Sequence, residues 1–225
     1  MNKSKNQTID LIFKKALKNH QENNFQEAQK LYNDVIDLNP NHLGSYNNLG
    51  VLFKSLRKLN QAKECYEKAI KLNPNSIETN NNLGWLHLEL VEYDKSKKFY
   101  ERSIKIQPNQ LQTNLKLGII YFELGEYQKA KECYKKAHQI DPNNIEAFNN
   151  LGVLFSRLRE DYKAEECYEK ILQFEPNNLD ALKNISNIYT RSLKDLDKAI
   201  NTSYKVLKVY QNTFKLNNQD ISLFR

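Results

Sequence analysis

The sequence predicts an all-α solenoid of about six helix–turn–helix repeats. Three observations carry this. The five prolines, Pro40, Pro74, Pro108, Pro142 and Pro176, stand 34 residues apart, and the chain has no others. Tyr32, Tyr66, Tyr100, Tyr134 and Tyr168 keep the same step, eight residues before each proline. Only six glycines are present, and four of them, Gly50, Gly84, Gly118 and Gly152, again lie 34 apart. A fixed period of this length is the signature of stacked supersecondary units.

Each element follows from local chemistry. Proline lacks the N–H and clashes with the preceding turn, so each one closes a helix. Asn41, Asn75, Asn109, Asn143 and Asn177 follow the prolines, and Asn in the next residue or two is suited to cap the following helix. Two columns of small residues run through the repeats. One is the glycine column, with Ala16 and Ser186 at its ends. The other is Ala28, Ala62, Ala130 and Ala164, with Ser96 substituting once. Small residues let two helices approach, and large ones such as Leu49, Leu83, Leu117 and Leu151 fill the space beside them.

The organisation is therefore a polar lead over 1–8, an array over 9–212 and a tail over 213–225. The repeats are 9–42, 43–76, 77–110, 111–144, 145–178 and 179–212. Each reads as helix A, a turn and helix B. Gly125-Glu126-Tyr127 is the clearest turn, with weaker versions at Arg57 to Ala62 and Val91 to Ser96. The end repeats depart from the pattern, as caps facing water do. Asn19 replaces the large residues Phe53 and Tyr121. The sixth repeat has one extra residue between Arg191 and Ala199, Ser203 in the tyrosine column and Gln211 in the proline column. The tail, with Ile221, Leu223 and Phe224, reads either as a helical extension or as the start of a further domain.

Composition bounds the function. Apolar residues are 40% and charged residues 27% of the chain, as in ordinary folded proteins. The net charge of +7 comes from 34 basic and 27 acidic residues that interleave. Nucleic-acid binding asks for clustering on one face, so a nucleic-acid partner is not expected. Cys65, Cys133 and Cys167 are spaced by multiples of 34; they read as small fillers in a helix interface, not as a disulfide framework. No apolar run suits a signal peptide or a membrane span, so a cytoplasmic protein is expected. The histidines, His20, His42, His87 and His138, have no ligand-spaced neighbours, and no phosphate loop or nucleophile elbow occurs. No catalytic residue, metal site or cofactor is expected, and function must lie in a surface.

The segment from Leu117 to Pro142, together with the proline, tyrosine and small-residue columns, resembles the tetratricopeptide repeat family. The resemblance covers nearly the whole chain. It departs at Leu115-Lys116, where other inner repeats carry Asn-Asn. It implies a right-handed superhelix in which the A helices line a concave face, and a role in binding proteins or peptides.

Carried onto these positions, the concave face holds an asparagine column, Asn48, Asn82, Asn150 and Asn184, broken by Lys116 and flanked by Asn47, Asn81 and Asn149. An amide offers two donors and an acceptor and can pair with both groups of a peptide backbone. The column is similar to the Asn ladder of O-GlcNAc transferases. Buried asparagines also bridge adjacent repeats, and the sequence leaves both readings open. Beside it runs an apolar column, Val51, Trp85, Ile119 and Val153, with Leu88 and Phe122 one turn on. It is either core or the floor of a groove. The family's carboxylate-binding members need Lys and Arg on this face; Lys116 stands alone, which argues against that mode. The sequence thus predicts a scaffold binding a partner peptide through Asn48, Asn82, Trp85, Lys116, Ile119, Asn150 and Asn184. The alternative is a substrate-recruiting module of a larger transferase, glycosyl- or sulfo-transferring. Monomer and self-association stay open.

Overall fold

The computed structural model describes the backbone of residues 2–193 and 195–222 and the side chains of 4–191 and 195–211. The apolar side chains Ile221, Leu223 and Phe224 of the tail lie outside the described residues. Among the described residues there are twelve α-helices and no strand. They are α1 (Asn2–Gln21), α2 (Phe25–Leu38), α3 (Leu43–Ser55), α4 (Leu59–Leu72), α5 (Ile77–Glu89), α6 (Tyr93–Ile106), α7 (Leu111–Glu123), α8 (Tyr127–Ile140), α9 (Ile145–Arg157), α10 (Asp161–Phe174), α11 (Leu179–Ile188) and α12 (Leu196–Ser222). Odd-numbered helices are the A helices and even-numbered ones the B helices. The chain falls into two compact units, Met1–Lys116 and Leu117–Arg225.

Helix pairing rests on the contact between the glycine and tyrosine columns. A Cβ built on Gly50, Gly84, Gly118 or Gly152 would meet the ring of Tyr66, Tyr100, Tyr134 or Tyr168 respectively, in every case within 3 Å. The four rings are almost wholly buried, so they cannot swing away. Burial also pushes the four phenols well above their ordinary pKa, which keeps them neutral in the core. In the sixth repeat this contact is replaced by a hydroxyl pair, Ser186 Oγ to Ser203 Oγ at 2.9 Å. The one serine in the alanine column has its own reason. Ser96 is fully buried and donates to the Gly84 carbonyl at 2.6 Å, so its hydroxyl is satisfied.

The A-to-B turns repeat as closely as the core. Asn23, Arg57, Val91, Gly125 and Arg159 all have φ between +58° and +74°, and they stand 34 residues apart. The amide after each reaches back five residues, as in Lys58 N–H to the Phe53 carbonyl and Glu92 N–H to the His87 carbonyl, both 2.8 Å. This is the Schellman ending of a helix, which needs one left-handed residue. The B-to-A turns place the cap two residues after proline, where Asn144 and Asn178 cap as expected and His42 and Ser76 take the same place. The residue directly after proline is not the cap. Asn41, Asn75 and Asn143 instead donate their backbone N–H to the side chains of Asn39, Asn73 and Asp141. The extra residue of the sixth repeat coincides with a π-helical turn at Tyr189–Leu193, which is how helices absorb single insertions.

Candidate functional site

The A helices α3, α5, α7, α9 and α11 are buried on much of their circumference, and one stripe escapes on each. In α3 the stripe is Gly44, Asn48, Val51 and Ser55; in α5 it is Glu78, Asn82, Trp85 and Glu89. Steps of four, three and four residues follow a single helix face. The residues between them, such as Leu49, Leu52, Leu83 and Leu86, are core.

In the first unit the asparagines divide by function. Asn82 Nδ2 donates to Asn47 Oδ1 at 3.0 Å, tying α5 to α3. The same Asn47 oxygen accepts from Thr79 Oγ1 at 3.4 Å. Asn81 donates to Gln110 Oε1 at 2.8 Å and accepts from Thr113 Oγ1 at 3.2 Å. These amides bridge neighbouring repeats, so Asn82 is a structural clamp as well as a stripe residue. Asn48 differs: its amide donates to Gly44 O at 2.8 Å on its own helix, and the side chain is half-buried on the open stripe.

Trp85 is half-buried, and its ring carries the Lys54 ammonium at 3.8 Å from the centroid. Burial holds the Lys54 pKa below the usual lysine value, with Glu89 acting in the opposite sense. A cation over an indole contributes about 0.5–1 kcal/mol when exposed and more when desolvated. Glu89 also faces Arg57 at 3.7 Å. Sequence reasoning missed Lys54. The available signal was its position three residues after Val51, on the adjoining part of the same face. Lys116, on α7, is half-buried and engaged with neighbouring groups.

In the second unit Ile119 on α7 is half-buried, and α9 presents Glu146, Asn150, Val153 and Arg157. Asn150 Nδ2 is buried without a hydrogen-bond partner, whereas Asn82 at the equivalent place has Asn47. On α11 the stripe residues are Asp180, Asn184, Asn187 and Arg191, with Asn184 half-buried. A cleft of about 500 Å³ opens at the C-terminal end of this stripe, between Phe122, Val153, Ser156, Arg157, Arg159 and Arg191. Arg191 is fixed there by Ser156 Oγ at 3.0 Å and Asp161 Oδ1 at 3.1 Å.

Among the described residues, no three His, Cys, Asp or Glu side chains gather as a metal ion would require. No described helix is long and apolar enough to cross a membrane. The thiols of Cys65 and Cys167 are buried, which pushes their pKa up to about 11 and about 12; such thiols are poor nucleophiles.

Family models described as tetratricopeptide repeat match residues 10–42, 45–76, 65–98 and 145–178, and one described as TPR repeat matches 118–158. Together they span well over half of the sequence. The chain belongs to the tetratricopeptide repeat family. Among curated protein sequences no match is found. Solved tetratricopeptide structures agree with the fold. PilF of Pseudomonas aeruginosa is 18% identical, with a TM-score of 0.76 over 99% of this chain and 100% of that one. YrrB, described as a TPR protein with an unusual peptide-binding site, is 18% identical, with a TM-score of 0.71 over 84% of this chain and 97% of its own. MamA is 25% identical, with a TM-score of 0.67 over 72% and 94%. Tetratricopeptide repeat proteins are protein-interaction scaffolds, and this chain has their all-helical repeat architecture.

Proposed function

We propose that this tetratricopeptide chain is a scaffold that binds an extended peptide segment of a partner protein along its A-helix stripes. The observation carrying this is the stripe itself. In α3, α5 and α9, which are otherwise largely enclosed, one face keeps an asparagine beside a partly exposed apolar side chain. In the first unit Asn48 and Asn82 offer amide groups to a peptide backbone, and Trp85 and Val51 offer apolar contact. In the second unit Asn184 offers an amide and Ile119 and Val153 offer apolar contact, whereas the buried Nδ2 of Asn150 is out of a peptide's reach. Backbone pairing supplies affinity with little reading of sequence, and aromatic anchors such as Trp85 concentrate the binding energy. The peptide-binding site described for YrrB is consistent with a peptide as the ligand type.

The test is selection of peptides from a random display library on the immobilised full chain, followed by affinity measurement on variants. Asn48→Ala and Trp85→Ala suit this purpose. Asn48 bonds only within its own helix, and Trp85 has a half-exposed ring, so both variants should stay folded. The expected result is a loss of at least tenfold in affinity for each, or about 1.4 kcal/mol or more. Peptides that bind both variants as tightly as the wild type would overturn the assignment of the stripe.

A further inference from the structure

We propose that this chain forms a two-fold symmetric dimer by antiparallel packing of helix α12 against α12 of a second copy. The observation is a largely exposed apolar stripe, met among the described residues only at its edge, where the Lys183 ammonium lies 5.3 Å from the Tyr210 ring centroid. Leu196, Ile200, Tyr204, Leu207 and Tyr210 are 65%, 66%, 69%, 59% and 47% exposed. They lie on one face, and Leu196 to Tyr210 spans 14 residues in four steps. The mean step of 3.5 is that of a coiled-coil seam. The adjoining face of α12 is already used: Ala199 and Thr202 are buried, and α12 packs on α11.

Three of its five positions are specific to this helix. Ala164 and Ala199 fix the register between α10 and α12 at 35 residues, and between earlier repeats the offset is 34. At the position of Ile200 the five earlier B helices carry Gln29, Lys63, Lys97, Lys131 and Glu165. At that of Tyr204 they carry Asn33, Glu67, Glu101, Lys135 and Glu169, and at that of Tyr210 Asn39, Asn73, Gln107, Asp141 and Glu175. All fifteen are polar. At the positions of Leu196 and Leu207 most earlier B helices are apolar as well, with Phe25, Leu59, Tyr93 and Tyr127, and Ile36, Ile70, Ile104 and Leu172, so α12 departs from them at Ile200, Tyr204 and Tyr210.

The same comparison identifies the occupant. The equivalent face of α10 receives the next repeat through ion pairs, Asp161 with Arg191 at 3.1 Å and Glu165 with Lys198 at 3.2 Å. In α12 those two carboxylates are Leu196 and Ile200; Leu196 matches Phe25, Leu59, Tyr93 and Tyr127 of the earlier repeats, but Ile200 leaves the basic residue of an ordinary further repeat without its partner. The stripe instead matches itself. About a two-fold axis near residues 203 and 204, Leu196 comes opposite Tyr210 of the partner subunit, Ile200 opposite Leu207 of the partner subunit, and the two Tyr204 side chains meet at the centre. An isologous interface demands this kind of self-complementarity. Lys198 would approach Lys208 of the partner subunit, but its charge is already held by Glu165 and by Asp195 at 3.9 Å. The exposed area of the five side chains is roughly 600 Å² per protomer, or ~1,200 Å² for the pair, which reaches the lower end of stable interfaces. The outward face of α1 bears Asp10, Lys14, Lys15 and Lys18 around a single exposed apolar residue, Leu11. It does not complement the stripe, so a closed dimer is favoured over a head-to-tail filament.

The experiment is sedimentation equilibrium on the full chain from about 1 to 100 μM, with Ile200→Glu/Leu207→Glu as the variant. Both side chains point away from α11, so helicity should not change. The expected result is twice the chain mass for the wild type and the single mass for the variant. Should the variant unfold, Tyr204→Cys provides an independent reading, since thiols at the two-fold axis must cross-link into a covalent dimer on oxidation. Single mass for the wild type throughout, with or without binding to phosphatidylserine vesicles, would overturn the proposal. So would an assembly that grows without limit, a dimer that survives in the folded double variant, or a Tyr204→Cys chain that fails to cross-link.

Discussion

Replacing Val91 by glycine should stabilise the protein. Val91 sits at φ +59° in the Schellman turn between α5 and α6. For an L-residue the left-handed region costs roughly 1–2 kcal/mol, and a β-branched side chain lies at the upper end. The side chain is 65% exposed, so its removal loses little packing. Glycine gives back about 0.4–1 kcal/mol through the greater freedom of the unfolded chain. The net gain is about 0.5–1 kcal/mol. In a chain of this length that raises Tm by about 1–4 °C, and in urea it moves the midpoint upward at unchanged slope. The reciprocal change isolates the same quantity. Gly125 occupies the equivalent position at φ +74°, and a Cβ there would meet no atom within 4 Å. Gly125→Val therefore adds no clash, and its net cost of about 0.5–1 kcal/mol is conformational. A Val91→Gly protein no more stable than wild type, or a Gly125→Val protein without loss, would refute the reasoning.

Three further outcomes follow from the same geometry. Gly118→Leu drives its side chain into the buried ring of Tyr134 and should cost roughly 1–3 kcal/mol by overpacking, read as a lower urea midpoint; an unchanged midpoint would remove the glycine–tyrosine contact as the basis of helix pairing. His42 caps α3 by accepting from Ser45 N–H at 3.1 Å, and burial lowers its pKa, against a smaller opposing effect of Asp10. The folded state then binds this proton less readily than the unfolded state, so stability falls as pH drops below about 6.5, the ordinary histidine value. His42→Ser should flatten part of that fall between pH 7 and 5, and an identical pH profile would show that the cap does not titrate in this range. Cys133 is less buried than Cys65 and Cys167, so at pH 8 a disulfide reagent should modify it first, and modification of all three at one rate in the folded protein would contradict the packing.

The period was legible because it is written in residues with few conformational options. Proline ends a helix wherever it stands, and a glycine column facing a tyrosine column leaves little choice of helix pairing. The turns were less legible. Only Gly125 announces its left-handed conformation, whereas Asn23, Arg57, Val91 and Arg159 adopt it because the hydrogen bonds around them require it. The asparagines were the hardest to read. Asn47 and Asn48 are neighbours in sequence, but one residue turns a helix by about 100°. That rotation points Asn47 toward α5 and leaves Asn48 on the open stripe. Composition and column alone cannot separate them, and the divided role of Asn82 appears only when its bond to Asn47 is seen. The apolar stripe of α12, by contrast, was present in the columns all along, hidden by the one-residue shift of the sixth repeat.

The central claim is that peptide binding uses the A-helix stripe, and Trp85 is placed to report it. It is the single tryptophan of the chain, with Lys54 over its ring. Tryptophan emission should be followed while a library-selected peptide free of tryptophan is titrated into the full chain. The account predicts a saturable change in intensity and wavelength, because a bound peptide displaces Lys54 and covers the indole, and Asn48→Ala should shift the midpoint at least tenfold to weaker binding. A peptide that binds by calorimetry yet leaves the Trp85 emission untouched, with the same affinity for Asn48→Ala, would place binding elsewhere on the molecule.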